Sequence, residues 1–307
     1  MKILENISLK DKTTFAIGGL AKYYVVVEDI NSLREAIKFA DNNNCKHYVL
    51  AGGSNILFSD NGFDGLIIQI GLSDIDVENN VFRVGAGVSL SCLVKDAKEK
   101  NLSGLEEFIG IPGTVGGAVR GNAGAFGSDM EQVVDEVSVY DKKTSEIFTL
   151  NKKECNFDYR NSIFKSNENY LVLDASFKLS QKNKNDIADK MYEYLSRRIK
   201  NGLQDIKSAG SFFMNPQVSE ELQDLFYKDK GIKSKDGRVP AGWLLDLVGM
   251  RGKRIGDAQI GTMHSNYFIN LGNAKASEVI QLASMAKTRV RDKFGVQLKE
   301  EVQLVGF

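Results

Sequence analysis

The chain has 307 residues, and its 40 Lys plus Arg residues balance its 40 Asp plus Glu residues, so the formal net charge at pH 7 is zero. This balance excludes a strong sequence-independent attraction to nucleic acid or to an anionic membrane surface. Hydrophobic residues make up 42% of the chain and charged residues 26%, as in ordinary globular proteins, and the length predicts two or three domains.

The N-terminus and the cysteines indicate where the protein works. Residues 1–15 mix acidic and basic residues where a secretory signal needs an apolar run, and no later stretch is apolar enough to span a bilayer. We therefore expect a cytoplasmic protein. Cys45, Cys92 and Cys155 are widely spaced, which predicts reduced thiols. With only two histidines in the chain, we expect no metal site and a chemistry that depends on an organic cofactor.

Hydrophobic periodicity predicts both strands and helices along the chain. Strands are predicted at 23–27, 47–55 (ending in a Gly turn), 66–70, 81–84, 133–140, 147–150, 171–179 and 296–306. Helices are predicted from Ser32, at 89–100, at 187–199, from Pro240 and at 277–294. Ser32 followed by Glu35 has the pattern of a capping box.

The stretch GIPGTVGGAVRGNAGAFG, residues 110–127, contains seven glycines. Glycines allow main-chain N–H groups to approach a bulky anion, because no Cβ atom intervenes and positive φ is allowed. The spacing does not match the dinucleotide fingerprint G-x-G-x-x-G, and no P-loop motif occurs. We therefore expect a different diphosphate cradle, built by residues 51–55 together with 110–127.

Several motifs together resemble the UDP-N-acetylenolpyruvoylglucosamine reductase family. They are TTFAIGG (13–19), AGGSNILFSD (51–60), GIPGTVGGAV (110–119), NAGAFG (122–127), YRNSIFK (159–165), SAGSFFMNP (208–216), AGWLLDLVGMRGKRIGDA (241–258), HSNYFIN (264–270) and KEEVQLVG (299–306). They occur in the family's order over nearly the whole chain.

The resemblance implies an α+β protein with an FAD-binding fold of the vanillyl-alcohol-oxidase (PCMH) type in two subdomains, followed by a C-terminal α+β substrate domain. The expected domains are residues 1–70, 71–199 and 200–307, with a terminal strand that can return to the FAD-binding part. The interval from Arg160 to Ser211 lacks the tyrosine-bearing loop of one branch, so the chain is similar to the loop-deficient (type II) branch.

The resemblance also implies cofactor and substrate contacts. Non-covalent FAD would be bound by the residues of the two glycine-rich segments, with the last two near the isoalloxazine: Gly52, Gly53, Ser54, Asn55, Gly113, Thr114, Gly116, Gly117, Asn122 and Ala123. Asn215 and Arg251 would contact the UDP-sugar, although Arg251 stands where the family usually has Lys. Lys253 and Arg254 are further cations of the same loop.

The family reaction consists of two half-reactions in peptidoglycan synthesis. NADPH reduces the FAD, and the enolpyruvyl ether of UDP-N-acetylglucosamine then takes up the hydride, forming UDP-N-acetylmuramate. Arg160 would hold the substrate carboxylate, because a guanidinium presents a planar fork to two oxygens. Ser211 would donate the proton to the carbanion.

The catalytic glutamate has two candidates. Alternation along the predicted terminal strand puts Glu300 on the apolar face with Leu298 and Val302, and so singles out Glu300. The family's glutamate directly precedes Val-x-apolar-x-Gly, which is Glu301 here. We expect Glu301 to be the catalytic residue, protonated so that it can donate a hydrogen bond to the enolate.

Two other functions remain as alternatives. A flavin-dependent oxidase of a small alcohol or sugar would share the glycine cradle without needing Arg160, Ser211 and Glu301. A non-catalytic flavin or nucleotide-sugar binding module would have lost the proton donor, whereas Ser211 is present.

Overall fold

The computed structural model describes residues 1–200, 202 and 206–307. The chain divides into two compact units: the first contains Met1–Ile7, Ala21–Gly53 and Asp64–Lys200, and the second contains Ser8–Leu20, Ser54–Phe63 and Asn201–Phe307. The three domain ranges expected from the sequence stay predictions. Their boundary at 199 and 200 adjoins residues 201 and 203–205, which lie outside the described part of the chain.

Two sheets organise the first unit. The four-stranded sheet has the order Leu4–Ser8, Leu20–Val27, Phe63–Ile70 and Lys46–Leu50, of which the last two are parallel. The five-stranded sheet is antiparallel throughout, in the order Ile147–Asn151, Val134–Asp141, Tyr170–Lys178, Val81–Gly85 and Ile75–Glu78. Each strand predicted within residues 23–179 is confirmed, except that 51–55 form the predicted turn and no part of the strand.

The helices of the first unit are Ile30–Asn42, Leu90–Glu99, Val115–Arg120, Met130–Val133, Ile163–Ser166 and Lys184–Lys200. Their apolar sides join the sheets in one core, to which Leu33, Leu93 and Val115 contribute fully buried side chains. Each of these segments has one hydrophobic periodicity, which is why it could be recognised from the sequence.

Two details of these helices differ from the sequence predictions. The capping box uses Asp29 as the N-cap, whose side chain accepts from the Ser32 N–H at 2.7 Å, so Ser32 is the third helical residue and Glu35 takes no part. In the helix Lys184–Lys200, Ile199 is 55% exposed whereas Arg198 is 8% exposed. The Arg198 guanidinium lies 5.3 Å from the centroid of the Phe126 ring, and periodicity of apolar residues does not detect a buried arginine.

The second unit is built around a small antiparallel sheet of Arg254–Ile255, Ala258–Ile260 and Phe268–Asn270. Its helices are Glu220–Lys230, Ala241–Leu247 and Ala276–Phe294. Trp243 is buried in its hydrophobic core, and its indole N–H donates to Asp229 at 2.7 Å. Within the described residues, no helix is long and apolar enough to cross a bilayer.

The predicted terminal strand at 296–306 is wrong in its length, because only Gln303–Val305 is a strand. It pairs in parallel with Ile56–Phe58. The preceding residues hydrogen-bond elsewhere: Met214 N–H donates to Lys299 O at 2.9 Å, and the chain bends at 301 and 302 between its two partners. This change of partner breaks the alternation, so that Leu304 is 40% exposed.

Asn270 holds together two distant segments of the second unit. Its buried carboxamide donates to Phe15 O at 3.1 Å and Ala16 O at 3.0 Å, and accepts from the N–H groups of Gly272 at 2.8 Å and Ala274 at 3.0 Å. Asn270 is 4% exposed, so water cannot replace these hydrogen bonds.

We expect Asn270→Ala to lower the free energy of unfolding by about 3 kcal/mol, because it leaves several buried backbone groups without partners. Urea denaturation measures this loss. Asn273→Ala is the matched control, since Asn273 is exposed and should change stability by less than about 0.5 kcal/mol. Equal losses in the two variants would contradict the bracing role of Asn270.

Candidate active site

The first glycine-rich segment, residues 51–55, follows the strand Lys46–Leu50. Its backbone lies in direct contact with the backbone of the second segment, residues 110–127. A Cβ atom on Gly52 would lie 2.7 Å from the Cα of Gly113, which is closer than real Cβ contacts allow. Gly53 has φ +63°, a conformation that favours glycine. The two predicted halves of the cradle therefore touch within the first unit, and glycine is required at their contact.

The second segment, 110–117, is fixed by the loop before the helix Leu90–Glu99. Val115 N–H donates to Val88 O at 2.9 Å, and Gly116 N–H donates to Ala86 O at 2.9 Å. A Cβ on Gly116 would lie 2.7 Å from the Cβ of Ala86. Gly116 therefore serves close packing in the structure, because its N–H is already used.

Several other polar groups of these two segments have no partner in the described part of the chain. The backbone N–H groups without one are those of Gly52, Gly53, Gly113, Thr114 and Gly117. The Thr114 hydroxyl is buried and also lacks a hydrogen-bond partner among described residues. Buried polar groups are normally paired, so this set of donors fits an anionic group such as a diphosphate.

Arg160 lies at the tip of a tight turn in the same unit. Asp158 and Asn161 exchange two backbone hydrogen bonds of 3.0 Å, which leaves Tyr159 and Arg160 as the central residues. Arg160 has φ +55°, a conformation that costs a non-glycine residue about 1 kcal/mol or more. Its guanidinium donates to Gly124 O at 3.2 Å, and Lys165 donates to its carbonyl at 2.9 Å. Such retained strain is typical of functional positions.

Asn122 braces this turn. Its side chain donates to Asp158 O at 2.9 Å and accepts from Glu131 N–H at 3.0 Å, and the residue is buried with φ +42°. Next to it, Ala123 N–H donates to Ala118 O at 2.8 Å. The predicted flavin contact of these two residues stays a prediction, and in the structure they connect the glycine-rich stretch to Arg160.

Ser211, Glu301 and Asn55 come together in the second unit. Glu301 N–H donates to the carbonyl of Phe212, the residue after Ser211, at 2.8 Å. The Asn55 side chain donates to Glu301 O at 3.2 Å, and Gln303 N–H donates to Asn55 O at 3.1 Å. Ser54 belongs to this unit as well. Hydrogen bonds thus connect Asn55, a predicted FAD contact, to Glu301, and Glu301 to Phe212, the residue after Ser211.

Glu300 has an ion-pair partner within the second unit. Its carboxylate forms an ion pair of 2.9 Å with Lys287, on the helix Ala276–Phe294. An ion pair with a helix side chain is an ordinary structural role. The competing candidate for the catalytic glutamate is therefore already paired.

The two predicted UDP contacts both have structural partners. Asn215 accepts from Ala241 N–H at 3.0 Å and so holds the start of the helix Ala241–Leu247. Arg251 forms an ion pair with Asp246 and donates to Thr262 O at 2.6 Å. The contact of Asn215 and Arg251 with the substrate stays a prediction. In the structure, each residue stabilises its own segment of the second unit.

His264 is also structural in its surroundings. Its Nδ1 accepts from Asn266 N–H at 3.3 Å, and its ring lies edge-on to Tyr267 at 4.9 Å. Burial holds the pKa of His264 below its usual value, so the ring is neutral at pH 7. Among described residues, no cluster of three or more His, Cys, Asp and Glu side chains could hold a metal ion.

Sequence reasoning missed the role of Asn266. The motif HSNYFIN contains two buried asparagines, Asn266 at 3% exposure and Asn270 at 4%. Asparagines within an otherwise apolar segment are the signal that could have drawn attention to them, because a buried carboxamide needs partners.

Two family models match the chain. Residues 21–151 match the model "FAD binding domain", and residues 201–305 match "UDP-N-acetylenolpyruvoylglucosamine reductase, C-terminal domain". The first match covers both glycine-rich segments, and the second covers Ser211 and Glu301. The predicted α+β fold with an FAD-binding part is confirmed.

Known relatives resemble the chain over nearly its full length. UDP-N-acetylenolpyruvoylglucosamine reductase of Pseudothermotoga lettingae is 37% identical over 96% of this chain and 95% of its own. That of Clostridium novyi is 33% identical over 99% and 92%. The crystal structure of the Thermus caldophilus enzyme matches with a TM-score of 0.79 and 32% identity over 99% of both chains.

We expect Gly52→Ala to weaken FAD binding at least tenfold, because the new methyl group would collide with the Gly113 backbone. Titration of the FAD-free protein with FAD, followed by flavin absorbance and fluorescence, measures the affinity. Gly121→Ala is the matched control, since Gly121 has φ −89° and a Cβ there would meet only the Gly117 carbonyl at 3.4 Å. Equal affinities for both variants would contradict the close-approach role of Gly52.

Proposed function

The chain belongs to the UDP-N-acetylenolpyruvoylglucosamine reductase family of FAD-containing oxidoreductases, and we propose that it reduces UDP-N-acetylglucosamine enolpyruvate to UDP-N-acetylmuramate with NADPH. This reaction supplies a precursor of peptidoglycan. The observation that carries the proposal is a pair of hydrogen bonds: the Asn55 side chain donates to Glu301 O, and Glu301 N–H donates to the carbonyl of Phe212, the neighbour of Ser211. These hydrogen bonds bring together residues that are far apart in the sequence, at positions 55, 212 and 301.

The glycine-rich segments of the first unit would bind the FAD diphosphate. The N–H groups of Gly52, Gly53, Gly113, Thr114 and Gly117 are the donors that support this role. The Thr114 hydroxyl adds a buried donor. When bound, FAD would accept a hydride from NADPH and deliver it to the enolpyruvyl group of the sugar.

Arg160 would orient the substrate through its carboxylate. A guanidinium remains charged at any relevant pH and offers two parallel N–H donors, so it both attracts the carboxylate and fixes its plane. The turn from Asp158 to Asn161 holds the backbone of Arg160 in one strained conformation. A rigid backbone limits the positions that the guanidinium can take, which favours correct orientation of the reacting carbon.

Ser211 would protonate the substrate carbon next to the carboxylate. A hydroxyl is a weak acid, but the carbanion that follows hydride addition is a strong base, so proton transfer from serine is feasible. The conformation before Ser211 is set by Gly210, which has φ +76°. The positive φ of Gly210 directs the chain into the segment 211–214, which is hydrogen-bonded on both edges within the second unit.

Glu301 would stabilise the charge that develops on the substrate carboxylate. A protonated carboxyl can donate a hydrogen bond to the enolate oxygen, and such donors are most effective when they are already oriented. Two hydrogen bonds fix the backbone of Glu301: its N–H donates to Phe212 O, and its carbonyl accepts from the Asn55 side chain.

The proposed location is the cytoplasm, because cells keep both NADPH and nucleotide sugars there. The balanced charge of the chain agrees with small-molecule partners, since it provides no general attraction to nucleic acid or to anionic lipid.

We expect Ser211→Ala to leave FAD binding and flavin reduction by NADPH unchanged and to slow product protonation by about 10²- to 10⁴-fold, the usual contribution of a general acid. Stopped-flow absorbance under anaerobic conditions separates the two half-reactions. Ser219→Ala is the control and should keep both rates, because Ser219 is exposed and its side chain makes no capping hydrogen bond. Unchanged turnover of Ser211→Ala would remove Ser211 from the mechanism.

We expect Glu301→Ala to slow the second half-reaction far more than Glu300→Ala does. The Glu300 carboxylate is paired with Lys287, so its loss should cost about 1 kcal/mol of stability or less and little activity. Single-turnover rates with the enolpyruvyl sugar rank the two variants. The reverse ranking would show that the catalytic register is shifted by one residue.

A further inference from the structure

The segment that carries Ser211 is held on both edges by backbone hydrogen bonds within the second unit. On one edge, Glu301 N–H donates to Phe212 O at 2.8 Å, and Met214 N–H donates to Lys299 O at 2.9 Å. On the other edge, Ser211 forms an antiparallel bridge with Tyr267, and Phe212 N–H donates to Asn266 O at 2.7 Å. Ser211 thus lies in the middle strand of a short three-segment arrangement.

The second edge cannot continue as an ordinary ladder, because its chain turns before Tyr267. Gly261 N–H donates to Tyr267 O at 2.7 Å and Tyr267 N–H donates to His264 O at 3.0 Å, which closes a tight turn. Among the described residues, no backbone group pairs with the N–H or the C=O of Phe213.

The side chain of Asn266 supplies the two missing bonds. Its Oδ1 accepts from Phe213 N–H at 3.0 Å, and its Nδ2 donates to Phe213 O at 2.8 Å. A carboxamide has one acceptor and one donor side by side, as a peptide group has, so it can replace a backbone residue in a ladder. Together with its own carbonyl, Asn266 binds three polar groups of Phe212 and Phe213.

Water cannot replace the hydrogen bonds between Asn266 and Phe213, because both residues are buried. Asn266 is 3% exposed and Phe213 is fully buried. The rings of Phe212 and Phe268 stack at 4.3 Å, and Phe213 packs edge-on against Phe212 at 5.1 Å. Loss of the carboxamide donor would leave a buried carbonyl of Phe213 unpaired, and the segment would have to shift to satisfy it.

We propose that Asn266 is a positioning residue, which fixes the backbone after Ser211 so that the serine hydroxyl reaches the substrate carbon that it protonates. This inference rests on the proposed function. Proton transfer depends steeply on the distance between donor and acceptor, and a shift of about 1 Å can cost about 10²-fold in rate. Aspartate has no donor when ionised, and alanine has neither a donor nor an acceptor in its side chain. Serine has one short hydroxyl, which cannot reach both the N–H and the C=O of Phe213.

The test compares Asn266→Asp with Asn270→Asp. Both changes are nearly isosteric, both put a carboxylate into the same buried core, and each removes donors to backbone carbonyls. Anaerobic stopped-flow measurements give the rate of flavin reduction by NADPH and the rate of reoxidation by the enolpyruvyl UDP-sugar. If either variant fails to fold, Asn266→Ser and Asn270→Ser replace the pair.

We expect Asn266→Asp to slow reoxidation about 10- to 100-fold, to leave reduction by NADPH within about twofold, and to raise the solvent deuterium isotope effect on reoxidation, because proton transfer becomes rate-limiting. Asn270→Asp should lose stability but keep both rates and the isotope effect. Equal behaviour of the two variants would contradict the positioning role.

The outcomes also distinguish this inference from the function on which it rests. A wild-type protein whose reduced flavin is not reoxidised by the sugar would contradict the proposed function. Normal reoxidation in the wild type and in Asn266→Asp would contradict only the inference. Amide hydrogen exchange gives a further readout that needs no substrate: the Phe213 N–H should exchange at least tenfold faster in Asn266→Ser than in Asn270→Ser.

Discussion

The close approach of two backbones in the first unit is the constraint on which cofactor binding depends. No side chain fits between Gly52 and the Gly113 backbone, because a Cβ on Gly52 would lie 2.7 Å from the Gly113 Cα. Among the described residues, several N–H groups of these segments and the Thr114 hydroxyl have no hydrogen-bond partner. An anion would pair with these donors, and the proposed anion is the FAD diphosphate. The glycines therefore serve two purposes at once, close packing and access to main-chain donors.

Side-chain amides bind backbone groups next to the proposed catalytic residues in both units. In the first unit, Asn122 braces the turn that carries Arg160 by binding the carbonyl of Asp158. In the second unit, Asn266 completes the ladder beside Ser211, and the Asn55 side chain binds Glu301 O. Irregular segments lack the regular ladders of sheets and helices, so their polar groups need partners of this sort when they are buried. Rigid placement of an arginine, a serine and a glutamate is what a two-step reduction requires.

Much of the fold follows from local sequence, and the exceptions have physical causes. Strands such as 81–84 and helices such as 89–100 were predictable because one periodicity runs through each of them. The terminal segment was not, since the chain changes partner at 301 and 302 and alternation cannot show that. Periodicity favoured Glu300, whereas the motif indicated Glu301, and the choice of Glu301 stays a prediction. Glu300 pairs with Lys287 in the structure. Asn266 escaped notice because its function lies in hydrogen bonds to residues that are more than 50 positions away.

The most direct test of the central claim is the visible spectrum of the FAD-loaded protein without oxygen, recorded before NADPH, after NADPH and after the enolpyruvyl UDP-sugar. The account predicts a flavin band that bleaches with NADPH and returns when the sugar is added, because both half-reactions use one bound flavin. A protein that binds no flavin would contradict the assignment of the glycine-rich segments. A bleached flavin that regains its colour only with oxygen would contradict the reductase and favour an oxidase of the same fold.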